Sequence, residues 1–539
     1  MSIILGIGFC SHDTSVAVLK DGKILGIYEE EKLTGIKSCY NVLAPPTNCL
    51  EVVKRDHGID LSNVDYFAIS SFYKKEIVKQ NIGFFMGRTT EVSHHLSHTL
   101  GSYFTSGMKG KVLSVSHDGK GNRSRGKILL CEDGDYEVVH SQHIPTTASL
   151  AGLWASSCTH LGWKMLKDEG KIVGLAAHGR HDEMIYKLIK DCIHYGGDLN
   201  FRPANHEARF HYICEHILKP RGVFTDKQLR ADFAFALQKV TDETMRDFLE
   251  DLSRRFPEYR KICFSGGLFA NVKMNMFIND LGLFDEIYIH PAMSDSGLAL
   301  GAAIKVANDL GEITESFRLE NAFLGESHSR EAWDSIISEN QGNLKTEPMT
   351  YERVAQLVDE GSVVGVFVGR TEYGPRALGN RSIVVKPTDK DTHRRLNEKL
   401  RRTEIMPFAP SVLEEFSQDV FHIEKSKHTA EFMTLCYDTR EEWLGRIPAV
   451  VHAEDGTARP QIVNKERNPH FHKLISAYHN ISGIPVVLNT SLNAHGEPIN
   501  NYPHQVIKHL LDDSLDYIAT EDYIISRRKN DTITNVFAN

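Results

Sequence analysis

The sequence has no run approaching the roughly 18 apolar residues that a membrane span requires, no C-x-x-C pair, no low-complexity segment and no excess of basic charge. The first absence excludes an integral membrane helix, and the second leaves neither a zinc knuckle nor a paired disulfide frame. With no biased segment, the chain is not disordered, collagenous or coiled-coil. The 62 basic residues stand against 71 acidic ones for a net charge of −9, which argues against a general nucleic-acid or membrane-surface binder and leaves a small molecule as the expected partner. The opening residues, MSIILGIGFCSHDTS, have no basic region ahead of an apolar core and reach Ser11, His12 and Asp13 too early for a signal peptide, so a cytoplasmic location is the expectation. The 9 cysteines (Cys10, Cys39, Cys49, Cys131, Cys158, Cys192, Cys214, Cys263, Cys436) are odd in number and scattered, and read as reduced, buried fillers.

What is present is a long chain of ordinary globular composition. Its 539 residues, 41% of them hydrophobic and 25% charged, call for two or more cores. Ile3 to Gly8 and Ser15 to Ile27 read as strand, then strand, turn and strand, with Asp21-Gly22 at the hairpin corner. Val112 to Val115 runs into Ser116-His117-Asp118-Gly119, and Ile262 to Phe264 into Ser265-Gly266-Gly267. Strands that stop at such corners present backbone N–H groups and carboxylates at a sheet edge, where phosphates and their metals are held. Ile287 to Ile289 reads as a further strand and Gly297 to Asn308 as a buried helix. This alternation predicts an α/β unit over residues 1–335. The polar stretch Gly325 to Thr346 is a connecting helix and loop, and a second α/β unit over residues 345–539 opens on the buried strand Val363 to Val368. No short-period repeat is visible.

Four constellations carry chemistry. In His94-His95-Leu96-Ser97-His98 the outer histidines are four apart and share a helix face, the spacing that lets two imidazoles meet one metal, although a solvated or capping role fits the same spacing. Asp118 and Asp295, each at a strand end, complete a mixed N/O set suited to iron, manganese or zinc; for Asp295, helix capping is the rival reading. In Ser265-Gly266-Gly267-Leu268-Phe269-Ala270-Asn271, the glycines allow close approach of a nucleotide that Asn271 can hydrogen-bond. Arg370, Arg376, Arg381, Lys399, Arg401, Arg402 and Arg459 lie in glycine-rich, largely uncharged surroundings that suit phosphate or carboxylate recognition, the alternative being interdomain salt bridges. Asn489 and Ser491, after the strand Pro485 to Leu488, add neutral hydrogen-bonders. His12 beside Asp13 is either a general base for a hydroxyl or a turn histidine.

GIGFCSHDTSVAVLKDG, HHLSH, SHDGKG, DEGKIVGLAAHG, SGGLFANVKMN, MSDSGLALGAA, GRTEYGPRALGNRSI, MPFAPSVL, DGTARPQIV and LNTSLNAHGEPI resemble, in order and over nearly the whole length, the NodU/CmcH-type O-carbamoyltransferases, which include tailoring enzymes of nodulation factors, cephamycin, tobramycin and ansamycins. The resemblance implies an N-terminal domain of the actin-like ATPase type, related to the threonylcarbamoyl-transfer enzymes, and a C-terminal YrdC-like domain. It implies that carbamoyl phosphate and ATP give carbamoyl adenylate, whose carbamoyl group passes to a hydroxyl of a small-molecule acceptor. Arg370, Arg376, Arg381, Lys399, Arg402 and Arg459, with Asn489 and Ser491, would then bind ATP (as its Mg complex) and carbamoyl phosphate. Asp118, Gly119, Gly266, Gly267 and Asn271 would line the nucleotide site. His94, His98, Asp118 and Asp295 would hold a divalent metal, expected to be Fe(II), on the adenylate's phosphate. His12 matches the family's histidine near the acceptor and Lys37 its lysine near the adenylate. A homodimer and no nucleic-acid partner are expected.

The sequence departs from the family's pattern at Met406, where arginine usually precedes Pro-Phe-Ala-Pro, at Lys120 and Asn122, where an acidic residue often closes the DGxG run, and at Lys32, in place of arginine. It carries no acylphosphatase or zinc-finger module of the hydrogenase-maturation carbamoyltransferases. Two other readings stand beside this one: an actin-like-fold small-molecule kinase or ATP hydrolase, which leaves the arginines unexplained, and a non-catalytic nucleotide sensor. The acceptor is not written in any motif, because acceptor pockets are built from variable loops.

Overall fold

The computed structural model describes residues 2–9, 12–38, 46–71, 88–402 and 407–528, so Cys10, Ser11, Cys39 and Met406 lie outside the described residues. The N-terminal hairpin forms as read. Strand β1 (Ile3–Phe9) pairs with β2 (Ser15–Lys20) and β2 with β3 (Lys23–Glu29), both antiparallel. Asp21 (φ 51°) and Gly22 (φ 74°) both take the left-handed conformation that a two-residue hairpin turn needs. On its other side β1 pairs in parallel with β4 (Tyr66–Ser71), and β4 with β5 (Thr89–Glu91). The unbroken apolar run of β1 follows from burial on both faces.

The same plan recurs in the next two hundred residues. Strand β6 (Lys111–Gly121) pairs antiparallel with β7 (Ser124–Glu132), which pairs with β8 (Asp135–His143). Strand β9 (Lys261–Ser265) lies parallel to β6, and β10 (Glu286–Ile289) parallel to β9. The two sheets therefore have matching orders, β3-β2-β1-β4-β5 and β8-β7-β6-β9-β10. This duplication is the actin-like arrangement, and it has no counterpart in the sequence as a short repeat.

A helix follows the last strand of each sheet, His94–Thr105 after β5 and Leu298–Asp309 after β10. Each packs against the other half's sheet: the first on β6, β7 and β9, the second on β1, β2 and β4. The helices also meet each other, so closely that a Cβ on Gly301 would stand 1.9 Å from the Ser97 carbonyl oxygen. Only glycine allows that approach.

The C-terminal part is a mixed, mainly antiparallel sheet of eight strands in the spatial order 344–348, 523–527, 517–519, 364–367, 381–385, 486–491, 409–413 and 461–463. The connecting helix lies at Arg330–Glu339 and docks on this sheet, with Trp333 edge-on to Phe367 at 5.0 Å. The two parts are tied by buried polar contacts: the amide of Ile289 donates to Thr429 Oγ1 at 3.1 Å, and that hydroxyl donates to the Ile287 carbonyl at 3.0 Å. Among the described residues no helix is long and apolar enough to cross a membrane.

Candidate active site

The duplicated fold brings the ends of three elements to one point. His94 and His98 open the His94–Thr105 helix, Asp118 lies near the end of β6, and Asp295 begins the one-turn 3-10 helix that leads into Leu298–Asp309. His94 Nε2 and His98 Nε2 each lie 3.4 Å from Asp295 Oδ1; His98 Nε2 lies 3.4 Å and His94 Nε2 3.8 Å from Asp118 Oδ2. One ligand atom from each of the four falls within 4.8 Å of all the others. Asp295 makes no side-chain cap, so its rival reading as a helix cap does not describe the structure.

Neighbouring groups aim these side chains inward. His98 Nδ1 sits 3.0 Å from Ser265 Oγ, which leaves Nε2 facing the carboxylates. Asp118 accepts from the amides of Gly119 (2.5 Å) and Gly267 (3.2 Å). Gly266 has φ 104°, and a Cβ there would stand 2.3 Å from the His117 carbonyl, so this corner requires glycine. Asn122, one of the departures from the family pattern, accepts from the His94 amide at 2.7 Å and donates to the Ser71 carbonyl at 3.0 Å. The middle histidine of the motif, His95, turns away to the Ser124 carbonyl at 3.1 Å.

Burial opposes charge on both Asp118 and His98, yet their mutual attraction wins: Asp118 is held well below the ordinary carboxylate range, and His98 is pushed up to about 9 by Asp118 and Asp295. Two imidazole nitrogens and two carboxylates, buried and converging, fit a borderline or hard divalent cation. Asp295→Asn keeps the volume of the side chain and removes its charge. Metal analysis of that variant is expected to show strongly reduced occupancy, and full occupancy would overturn the four-ligand set.

His12 stands at the rim of this group, its Nε2 3.8 Å from Asp295 Oδ2. Adjacent strand residues point to opposite faces, but Asp13 adopts φ 54°, and this turn brings its Oδ2 to 3.2 Å from His12 Nδ1. Burial lowers the imidazole's pKa, but the bond to Asp13 and the charges of Asp295, Asp13 and Asp118 overcome it and push His12 up to about 10. Lys37 lies close to residues outside the description. Its carbonyl accepts from Lys167 Nζ at 3.2 Å, and its ammonium is not joined to the metal group by any hydrogen bond or ion pair among the described residues.

The C-terminal cations divide into two kinds. Arg376, in the loop Gly369–Asn380, and Arg459, after the turn His452–Thr457, converge near Cys436 together with Lys273 of the first part. Burial pushes the Cys436 thiol up to about 11, against the opposing pull of Lys273, Arg459 and Arg376. A small pocket here is walled by both parts of the molecule, by Val173, Ala177 and Lys273 on one side and Cys436, Asp455 and Arg459 on the other. The loop carrying Arg376 also reaches the first part, where a Cβ on Gly374 would stand 2.8 Å from the Pro291 carbonyl, four residues before Asp295.

The remaining cations expected to be phosphate ligands are engaged by groups of the protein itself. Arg381 is fully buried, donates to the carbonyls of Val368 (2.6 Å), Gly369 (3.0 Å) and Asn380 (3.2 Å), and lies 3.6 Å from the Phe367 ring centroid, which leaves it a structural role. Arg370 donates to the carbonyls of Gly325 (2.7 Å) and Leu324 (2.6 Å). Arg402 is held by Thr490 Oγ1 (2.9 Å) and by the carbonyls of Ser491 (2.8 Å) and Asn493 (2.7 Å). Lys399 pairs with Asp516 at 2.6 Å, beside Val363 and thus at the end of the strand Val364–Phe367 opposite the Arg376 loop. Asn271 serves as the N-cap of the Val272–Asp280 helix, accepting from the Met274 amide at 3.0 Å, and its amide donates to Gln238 at 3.0 Å. Asn489 donates to the Ala377 carbonyl at 3.1 Å while its buried Oδ1 has no hydrogen-bond partner among the described residues, and Ser491 donates to Asn493 Oδ1 at 2.6 Å.

Two buried residues escaped the sequence reading. Glu372 Oε1 accepts from the amides of Leu378, Asn380 and Arg381 at 2.8 to 3.0 Å and so shapes the Arg376 loop. Lys32, noted only as a mild departure, donates to the carbonyls of Glu372 (2.6 Å) and Gly374 (2.8 Å), joining that loop to the first part. A buried Glu inside a glycine-rich motif was the available signal.

Two family models match this chain. Residues 73–304 match the family described as carbamoyltransferase N-terminus, and residues 355–527 match carbamoyltransferase C-terminus. The protein MJ1058 of Methanocaldococcus jannaschii is 31% identical over 465 residues, covering 81% of this chain and 73% of its own length. Nodulation protein NolNO of Sinorhizobium fredii strain NGR234 is 29% identical over 558 residues, covering 96% of this chain and 79% of its own. Among solved structures, full-length HypF in its phosphate- and nucleotide-bound form overlaps 57% of this chain and 55% of its own, at 16% identity and a TM-score of 0.32, too distant a likeness to speak to chemistry. By its matched regions and these relatives, the chain belongs to the carbamoyltransferase family and is an enzyme of that kind.

Proposed function

We propose that this enzyme is an ATP-dependent O-carbamoyltransferase acting on a hydroxyl of a small molecule. Carbamoyl phosphate loses its phosphate to water, and an oxygen of the resulting carbamate attacks the α-phosphorus of ATP, forming carbamoyl adenylate and releasing pyrophosphate. The acceptor oxygen then attacks the carbamoyl carbon, AMP departs and the hydroxyl proton is released. The observation that carries this reading is the presence, in one chain of this family, of a buried two-histidine, two-carboxylate group and an arginine pocket at the boundary with the second part.

Arg376 and Arg459 meet the phosphates of carbamoyl phosphate and ATP, and the open Asn489 Oδ1 is an acceptor for the carbamoyl amide. His94, His98, Asp118 and Asp295 hold a divalent metal, for which iron(II) is one fitting identity. When bound, such a metal neutralises the phosphate of the AMP leaving group. His12, oriented by Asp13, receives the acceptor's proton. A cation held by Asp118 and Asp295 would offset those two charges' share of the pull on His12, while that of Asp13 remains.

The test is pyrophosphate exchange into ATP with and without carbamoyl phosphate, followed by product mass with a panel of alcohols and sugars. Phosphorylated products formed without carbamoyl phosphate would establish a kinase instead. A second variant tests the base. His12→Asn is expected to slow single-turnover transfer from preformed carbamoyl adenylate by at least roughly tenfold, the low side of a positioned base's contribution, with metal content and exchange unchanged. An unaltered rate would leave His12 a turn residue.

A further inference from the structure

One helix touches both sites. Val272–Asp280 follows directly on the Gly266-Gly267 corner, whose Gly267 amide donates to the metal-group carboxylate Asp118. Its start is fixed by the Asn271 cap. From its first turn Lys273 crosses to the other part of the molecule, where its ammonium donates to Asp455 Oδ2 at 2.7 Å and Thr457 Oγ1 at 2.9 Å. Two residues later Asn275 donates to the Thr434 carbonyl at 2.8 Å. Thr457 starts one strand of a short ribbon in which Thr457–Ala458 pairs with Tyr437–Asp438, Asp455 lies in the turn leading into that strand, and Thr434 lies three residues before the other. The ribbon carries Cys436 at the start of one strand and Arg459 at the end of the other.

The turn that Lys273 grips is built to be held at that point. Asp455 Oδ1 accepts from the Thr457 amide (3.1 Å) and hydroxyl (2.7 Å), the His452 amide donates to the Thr457 carbonyl (2.8 Å), and Gly456 takes φ 70°. Lys273 therefore bonds the two side chains that define the turn, two residues before Arg459. Its value is geometric, because the pair is partly exposed and an exposed pair contributes little stability, so its effect falls on where Arg459 stands and thus on binding.

We propose that Lys273 is a positioning residue for the arginine pocket: from the helix rooted at the metal group it holds the Asp455–Thr457 turn and thereby places Arg459 for carbamoyl phosphate. This rests on the functional reading above for the identity of the pocket's occupant. Lys273 also stands in the wall of that pocket, so the Asp455→Asn arm below, which leaves the lysine in place, separates positioning from direct contact.

The experiment uses the full chain and compares Lys273→Met, Asp455→Asn, their double variant and Lys273→Arg in carbamoyl-phosphate-dependent ATP–pyrophosphate exchange. Each of the two single variants is expected to raise KM for carbamoyl phosphate by about tenfold, with kcat within about twofold and metal content at the parental level. The double variant is expected to be no worse than the poorer single one, since both remove the same contact, and Lys273→Arg to recover most of the affinity. Parental KM in Lys273→Met overturns the proposal, as does a joint fall of kcat, metal content and thermal midpoint, which marks general loosening of the interface. Absence of exchange in the parent protein overturns the functional reading and this role with it, and so is distinguishable from failure of the role alone.

Discussion

Asp118→Asn is expected to lower carbamoyl transfer to an acceptor by about a hundredfold or more, while carbamoyl-phosphate-dependent ATP–pyrophosphate exchange stays within about twofold of the parent. Arg459→Ala and Arg376→Ala are expected to do the opposite, abolishing exchange with the metal content untouched. The reason is spatial. Asp118 faces His94 and His98 at the end of β6, and its loss removes one of the two anionic ligands. Arg459 lines the pocket at Cys436, and the charge of Arg376 also acts on that cysteine, both arginines lying on loops of the second part. Measuring exchange with labelled pyrophosphate and transfer by product mass on the same preparations separates the two half-reactions. Equal loss of exchange in all three variants would place both in a single site.

The second large effect concerns stability. Arg381→Met is expected to cost at least about 3 kcal/mol, read as a lowered denaturation midpoint, because it strips the donor from several buried carbonyls and leaves Glu372, Glu326 and Glu521 without their shared cation. Burial lowers even this guanidinium's pKa, to about 10, which shows how fully water is excluded there. Lys399→Met is the contrast. Its pair with Asp516 is partly open to solvent, so about 1 kcal/mol or less is expected, with exchange unchanged. Loss of exchange in Lys399→Met with the fold intact would restore it to the phosphate site; full stability of Arg381→Met would refute the structural role assigned here.

These two cations show where sequence reading stops. Arg376 and Arg381 stand five residues apart in the same glycine-rich motif, and composition treats them alike. Their fates differ because Arg381 begins a strand whose start points its side chain into the core against Phe367, whereas Arg376 is on the loop between strands. Asn271 and Arg402, both expected to bind a ligand, are also engaged by the protein itself: one caps a helix and the other holds the distant segment Thr490–Asn493. A polar residue in a conserved-looking motif serves either a ligand or the backbone that holds the ligand, and spacing alone does not tell which.

By itself the sequence determined the local facts that depend on a few neighbouring residues. The Asp21-Gly22 hairpin, the strand cores at 262–264 and 287–289, the helix after Asp295 and the shared face of His94 and His98 all follow from periodicity, turn chemistry and helical spacing, and ten ordered motifs carried the family. Tertiary structure alone decided which of these meet. The duplication of the sheet order sets the two helices across each other at Gly101 and Gly301, and that crossing carries histidines from one half of the first part to an aspartate from the other. The pairing of Asp13 with His12 required a left-handed residue, and the grip of Lys273 on Asp455 joins positions 182 residues apart. Such contacts depend on how complete elements pack, a long-range outcome of burial and chain direction for which no window of sequence holds the information.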